Sequence, residues 1–119
     1  MQGNGKISFE IEGVKHSLYF GMTATEIIAN SSITAINKGE VTDLKAFAYI
    51  LFGGMCNFAD SIDEVRPKFN DAYMLAEQIS NEDQITKDIY DAWNGSKPKD
   101  ELLKRLDAIK KKAEENLNQ

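Results

Sequence analysis

Between Lys6 and Phe20, apolar and polar residues alternate twice across a glycine turn, and no other stretch narrows the possible folds of this chain so far. Ile7, Phe9 and Ile11 interleave with Ser8, Glu10 and Glu12, the period-two pattern of a strand with one dry and one wet face. Glu12-Gly13-Val14 makes the turn. Lys15 to Phe20 then alternates again, with His16, Leu18 and Phe20 on one side and Lys15, Ser17 and Tyr19 on the other. Which side meets the core is set by the turn register. Gly21 stops the strand through its access to positive φ, and Thr23 with Glu26 forms a T-x-x-E capping box that starts a helix at once. An isolated hairpin is marginal in water, so this one must lie on helices or pair with another chain.

Beyond the hairpin the chain reads as helix. Thr23 to Asn30 carries Ala24, Ile27 and Ile28 on one face, Ser31 and Ser32 end it, and Ile33 to Ile36 allow a further turn before Gly39. Thr42 is an N-cap with Asp43 in the first turn. From Asp43 to Met55 the sequence is apolar nearly all round, the mark of a central buried helix. Gly53-Gly54 weakens the last turn of that helix by about 1 kcal/mol per glycine, or admits another backbone closely. Asn57 to Arg66 reads as a connection and Pro67 as a helix start. Phe69, Ala72, Tyr73, Ala76 and Ile79 form an amphipathic stripe, and a further helix from residue 81 or 82 to Trp93 turns Ile85, Ile89, Ala92 and Trp93 inward. Asn94-Gly95 closes it. Ser96 and Pro98 open a last helix whose Leu102, Leu103, Leu106, Ile109, Ala113 and Leu117 are helix-spaced.

The expected fold is therefore α+β, an N-terminal two-stranded antiparallel hairpin packed on a bundle of about five helices. With 119 residues the chain reads as a single domain over 1–119, with the hairpin at 6–20, the helical part at 23–117 and a soft boundary at 94–97. Charge is uneven: residues 60–94 hold three Lys/Arg against nine Asp/Glu, whereas 95–119 hold seven against five. The net charge of −5 disfavours nucleic acid and anionic membranes as partners. The lone Cys56 rules out an internal disulfide, and no run is apolar enough for a membrane span or a signal peptide. These features place the chain in the cytosol.

Candidate chemistry is sparse. His16 is the single histidine and has no metal-ligand or acid–base partner near it in sequence; Cys56 follows an apolar helix and reads as an inert thiol. Asp60, Asp63 and Glu64 lack the spacing of a calcium loop and read as a solvated, helix-starting acidic turn. Lys110-Lys111-Lys112 reads as a solvated helix end. No catalytic residue, cofactor site or metal site is assigned. Tyr73, Tyr90 and Trp93 are candidates for partner binding, because Tyr and Trp dominate protein interfaces; their alternative is a place in the core.

The run KISFEIEGVKHSLYFGMTATEII resembles the N-terminal signature of the tail assembly chaperones of long-tailed bacteriophages: a short strand, an I-x-G turn, a second strand ending F-G-M, then a helix. The likeness covers about the first third of the chain, and beyond it size, helicity and acidity fit. It implies a non-enzymatic protein of the host bacterial cytosol, from a phage or prophage, that escorts the tape measure protein and helps recruit tail tube subunits. Homo-oligomers are a further expectation, since an exposed hairpin edge is one route to them. The alternatives are a structural tail component retained in the virion and a small enzyme of unrecognised type.

The resemblance also implies a longer product made by a −1 ribosomal frameshift near the end of the short reading frame. Lys110-Lys111-Lys112 can supply the slippery site. Its codons are expected to read A-AAA-AAR in phase, with an overlapping −1 frame and a long tape measure gene downstream, and sequencing the locus checks this. Interrupted AAG codons would remove the slip site alone; the lack of both the frame and the long gene would remove the family.

Overall fold

The computed structural model describes residues 5–39 and 42–96, together with Lys104, Asp107, Ala108 and Lys111. Among these residues it is an α+β arrangement of one antiparallel hairpin, β1 (Lys6–Ile11) and β2 (Val14–Tyr19), and four helices. These are α1 (Met22–Lys38), α2 (Asp43–Ser61), α3 (Phe69–Ile79) and α4 (Asp83–Asn94). The expected last helix falls on residues 97–119. The four described positions there are helical and exposed, while Leu102, Leu103, Leu106, Ile109, Ala113 and Leu117 lie outside the described residues, as do Lys110 and Lys112.

The hairpin closes through the two residues Glu12 and Gly13, at φ 51° and 80°. Positive φ at both positions makes a type I′ turn, whose twist matches that of the flanking strands. The register pairs Ile7 with Leu18, Phe9 with His16 and Ile11 with Val14. Directly opposed residues share a face, so the dry side is Ile7, Phe9, Ile11, His16 and Leu18. The wet side pairs Lys6 with Tyr19, Ser8 with Ser17 and Glu10 with Lys15. Ser8 Oγ and Ser17 Oγ are 2.9 Å apart, and Lys6 Nζ lies 5.3 Å from the centre of the Tyr19 ring. The ladder runs one step past the strands, where Phe20 N–H donates to the Gly5 carbonyl at 2.8 Å.

The junction from β2 to α1 departs from the sequence expectation. Thr23 does not cap α1; the helix begins at Met22, and the Gly21 carbonyl accepts its first bond, from Thr25 N–H at 3.1 Å. Gly21 thus holds the cap position without a side chain to fill it. Asn57 of α2 supplies the missing oxygen: its Oδ1 accepts from Gly21 N–H and from Ala24 N–H, each at 3.0 Å. A Cβ on residue 21 would sit 2.8 Å from that oxygen. Glycine is required there by close approach and not, as the sequence suggests, by positive φ. Thr25, fully buried, adds a bond from its hydroxyl to the Gly21 carbonyl at 3.1 Å.

α1 runs unbroken to Lys38, through the serines expected to end it, and Gly39 then turns the chain at φ 69°. α2 is likewise longer than its apolar run, reaching Ser61 instead of Met55, so Gly53-Gly54 lies inside it. A Cβ on Gly53 would stand 2.9 Å from the Ala24 carbonyl and 2.7 Å from Ile28. One on Gly54 would stand 3.0 Å from the Phe20 ring and 3.1 Å from Leu18 Cβ. The pair lets α1 and β2 settle on α2, and that contact offsets the roughly 1 kcal/mol each glycine costs a helix. Thr42 caps α2 as expected, its Oγ1 accepting from Lys45 N–H at 3.1 Å.

At the far end of α2, Asp63 takes the left-handed conformation, φ 57°. Glu64 N–H reaches the Ala59 carbonyl at 2.8 Å and Asp63 N–H the Asp60 carbonyl at 3.3 Å, the two bonds of a Schellman motif. The connection to α3 therefore shrinks to residues 62–68. Pro67 precedes the cap instead of opening the helix, and Lys68 N–H donates to Asp71 Oδ2 at 3.0 Å. The core joins the hairpin to all four helices through Leu18, Phe20, Ala24, Ile28, Leu51, Ala76, Ile79, Ile89 and Trp93.

Replacing Asn57 with Ala leaves two buried N–H groups without an acceptor and should cost about 2–3 kcal/mol. Adding Gly21→Ser to N57A should recover part of that loss, because a serine hydroxyl at the cap can bond Ala24 N–H once Asn57 Oδ1 is gone. Urea unfolding of the wild type, N57A and G21S/N57A checks both steps; because a Cβ at position 21 also meets the Tyr19 ring at 3.2 Å, recovery is partial, and an N57A variant as stable as the wild type would contradict the capping role.

Candidate functional site

Each chemistry-bearing residue singled out in the hairpin, in α2 and in the turn after it has a definite place. His16 stacks on Phe9, with ring centroids 5.6 Å apart and planes at 26°. Partial burial holds its imidazole below the usual histidine range. It borders an open cleft of about 270 Å³ between β2, the last turns of α2 and the α2–α3 connection, where Lys15, Met55, Phe58, Glu64 and Val65 also line the wall. Cys56 is sealed in the protein. Burial raises its thiol, Arg66 opposes this and Asp60 adds to it, so the reactive thiolate is disfavoured.

The acidic turn ends α2 instead of starting a helix, and it is structural. Asp60 takes both Oδ atoms to Arg66, at 2.9 Å from Nε and 2.6 Å from Nη2. Those hydrogen bonds hold the Asp60 carboxyl below its ordinary range, while Asp63 makes the Schellman turn. No cluster of three or more His, Cys, Asp or Glu among the described residues is placed to hold a metal. No helix among the described residues is long and apolar enough to cross a membrane.

The three aromatic candidates separate. Trp93 is 7% exposed and tilts against Phe20, 5.7 Å between centroids. Tyr90 stacks on Phe47 at 5.4 Å, and burial, with Asp43 behind it, pushes its hydroxyl above the usual range. Both belong to the packing between α4 and the rest of the core. Tyr73 is half-buried and joins a different group: Phe69 lies 6.2 Å from Tyr73, 4.9 Å from Tyr49 and 5.7 Å from Phe52.

Tyr49, Phe52, Phe69 and Tyr73 are all only partly covered, and they form one aromatic patch across the α2–α3 seam. The sequence singles out Tyr73 and sets Phe69 in the same stripe, while Tyr49 and Phe52 fall in the all-round apolar run of α2. The all-round apolar run of α2 reads as complete burial, which assigns Tyr49 and Phe52 to the core; a helix apolar on every side whose partner is as short as α3 leaves part of one side to solvent. The exposed Met74 and the 95% exposed Val65 are further apolar side chains presented to solvent.

The chain matches no family model, no curated protein and no solved structure.

The His16 environment sets a pH dependence. Its folded pKa lies below the unfolded value of about 6.5, so on acidification the unfolded chain takes up the proton first. This contribution to stability is complete above about pH 6.5 and is lost as pH falls from there toward the folded pKa. His16→Phe, which keeps the stack on Phe9, should lose less stability than the wild type between about pH 7 and 5.5; parallel denaturation curves at the two pH values test it.

Proposed function

We propose that this chain is a non-enzymatic tail assembly chaperone of a long-tailed phage or prophage, and that the aromatic patch of Tyr49, Phe52, Phe69 and Tyr73 is where it holds its client. The patch is the observation that carries the reading. Four half-covered rings from two helices offer a rigid apolar platform at low entropic cost. A helix-in-groove contact with an amphipathic segment needs a surface of this kind. The N-terminal resemblance supplies the client: the long tape measure protein, with tail tube subunits recruited afterwards, in the bacterial cytosol.

Charge supports the same reading. The segment 60–94 that carries Phe69 and Tyr73 holds nine Asp/Glu against three Lys/Arg, and that excess would keep a complex with an aggregation-prone coiled-coil client in solution. Tyr90 and Trp93, the other two partner-binding candidates, act in this reading by supporting α4 in the core and not by touching the client.

Co-expression with the tape measure protein encoded by the same phage should raise its soluble yield and give a co-purifying complex. Tyr73→Asp, with the melting temperature monitored, should weaken that complex by on the order of 30-fold, the effect of losing an interface aromatic worth about 2 kcal/mol. Unchanged yield together with no co-purification would remove the chaperone reading. Mass spectrometry of finished particles separates a chaperone, which is expected to be missing, from a retained structural component.

A further inference from the structure

Beyond that reading, the hairpin register points to an interaction of the chain with itself. In a two-residue hairpin the residues flanking the loop form a hydrogen-bonded pair, and such pairs alternate along the ladder. Ile11–Val14, Phe9–His16 and Ile7–Leu18 are then bonded to each other, and the bond from Phe20 to Gly5 continues the same series. The backbone N–H and C=O groups of Ser8 and Glu10 consequently point away from β2. Among the described residues the sheet has two strands, and no backbone hydrogen bond from another element reaches Ser8 or Glu10.

We propose that β1 is the seam of a two-fold symmetric dimer, in which β1 of one copy pairs antiparallel with β1 of the other about Ser8 to give a four-stranded sheet. The sequence of the edge is self-complementary about that point. With Ser8 opposite Ser8 of the second copy, Lys6 falls opposite Glu10 and Glu10 opposite Lys6, all on the wet face. On the dry face Ile7 falls opposite Phe9, and both of these are left half-covered by the single copy. The outward groups of Ser8 and Glu10 are the ones that a ladder centred on a bonded Ser8 pair requires. On the β2 side, Glu64, Val65 and Pro67 of the same chain line a cleft with Lys15, His16 and Ser17, into which an added strand would have to fit; on the β1 side, α4 is the helix that packs against the strand.

Sedimentation of the full chain at concentrations up to about 1 mM, the weakest association that would count, should show a monomer–dimer equilibrium. Glu10→Lys alone and Lys6→Glu alone each put like charges opposite one another twice and should weaken the dimer by on the order of tenfold or more. The swap K6E/E10K should restore it, although within one chain it still leaves Lys at position 10 facing Lys15; recovery therefore reports the contact between copies.

Register is read by cross-linking. Ser8→Cys should form a disulfide-joined dimer under mild oxidation, since the Cα atoms of a bonded antiparallel pair lie about 5.5 Å apart. Glu10→Cys should not, because its two copies would be about 14 Å apart along the seam. The substituted positions are exposed, and circular dichroism confirms that each variant is folded. A monomer at every concentration, a swap that fails to restore association, or cross-linking at position 10 in place of position 8 would each overturn the proposal.

Discussion

One amide oxygen joins three elements of this protein. Asn57 Oδ1 accepts the Gly21 N–H, in the two-residue link that leaves β2, and the N–H of the first turn of α1 while its own backbone belongs to α2. Because that oxygen lies only 2.8 Å from where the Cβ of residue 21 would be, position 21 has to be glycine; because it is glycine, α1 has no cap of its own at that position. Each half of the arrangement makes the other necessary. A helix start is normally a local matter of four residues, but here it is completed across a separation of 33 to 36 residues, so α1 gains its cap only when α2 is docked.

The same face of α2 explains its glycines. Gly53, Gly54 and Asn57 are spaced by one, three and four, which places them together on a helix surface. Gly53 meets the α1 backbone at Ala24, Gly54 meets Leu18 and Phe20, and Asn57 closes the corner between them. An adjacent face of α2 presents Tyr49 and Phe52 to Phe69 of α3. α2 is apolar all round because it serves two seams, one tightly closed by glycine and one left broad and partly open by aromatic rings. The tight seam fixes the frame; the broad one has surface to spare for a partner.

The hairpin and the type of every described helix can be read from the sequence, because their patterns are local: alternation over Ile7 to Phe20, stripes at three and four, Thr42 before an acid. Some helix ends are legible too, at Gly39, Thr42 and Asn94-Gly95; others are not. Ser31 and Ser32 interrupt an apolar face without breaking a backbone, and Gly53-Gly54 looks like a terminus although tertiary packing replaces the lost propensity. The capping box at Thr23 and Glu26 satisfies the local rule but loses to an acceptor from another helix. For the candidate patch, the sequence sets Phe69 and Tyr73 in one stripe, but that Tyr49 and Phe52 of α2 meet them is not legible in it. Half-burial of a ring depends on which residue of another helix comes to lie against it, and no residue pattern within α2 encodes that Phe69 at the start of α3 meets Tyr49 and Phe52.

A two-stranded hairpin seldom holds its shape unaided, and this one carries a glutamate in the left-handed region of its turn, at φ 51°, a conformation disfavoured by about 1–2 kcal/mol for a residue with a Cβ. Its order therefore comes from outside, from Leu18 and Phe20 seated on Gly54 and from Trp93 against Phe20. That docking has a consequence for the edge it leaves. A fluctuating strand would have to be ordered at the moment of association, whereas β1 is already held in register by the helices beneath it, so the ordering entropy is met during folding and not during binding. The constraint that closes the core on one side of the hairpin thus prepares the opposite edge to be read, and the charges of Lys6 and Glu10 restrict which strand can read it.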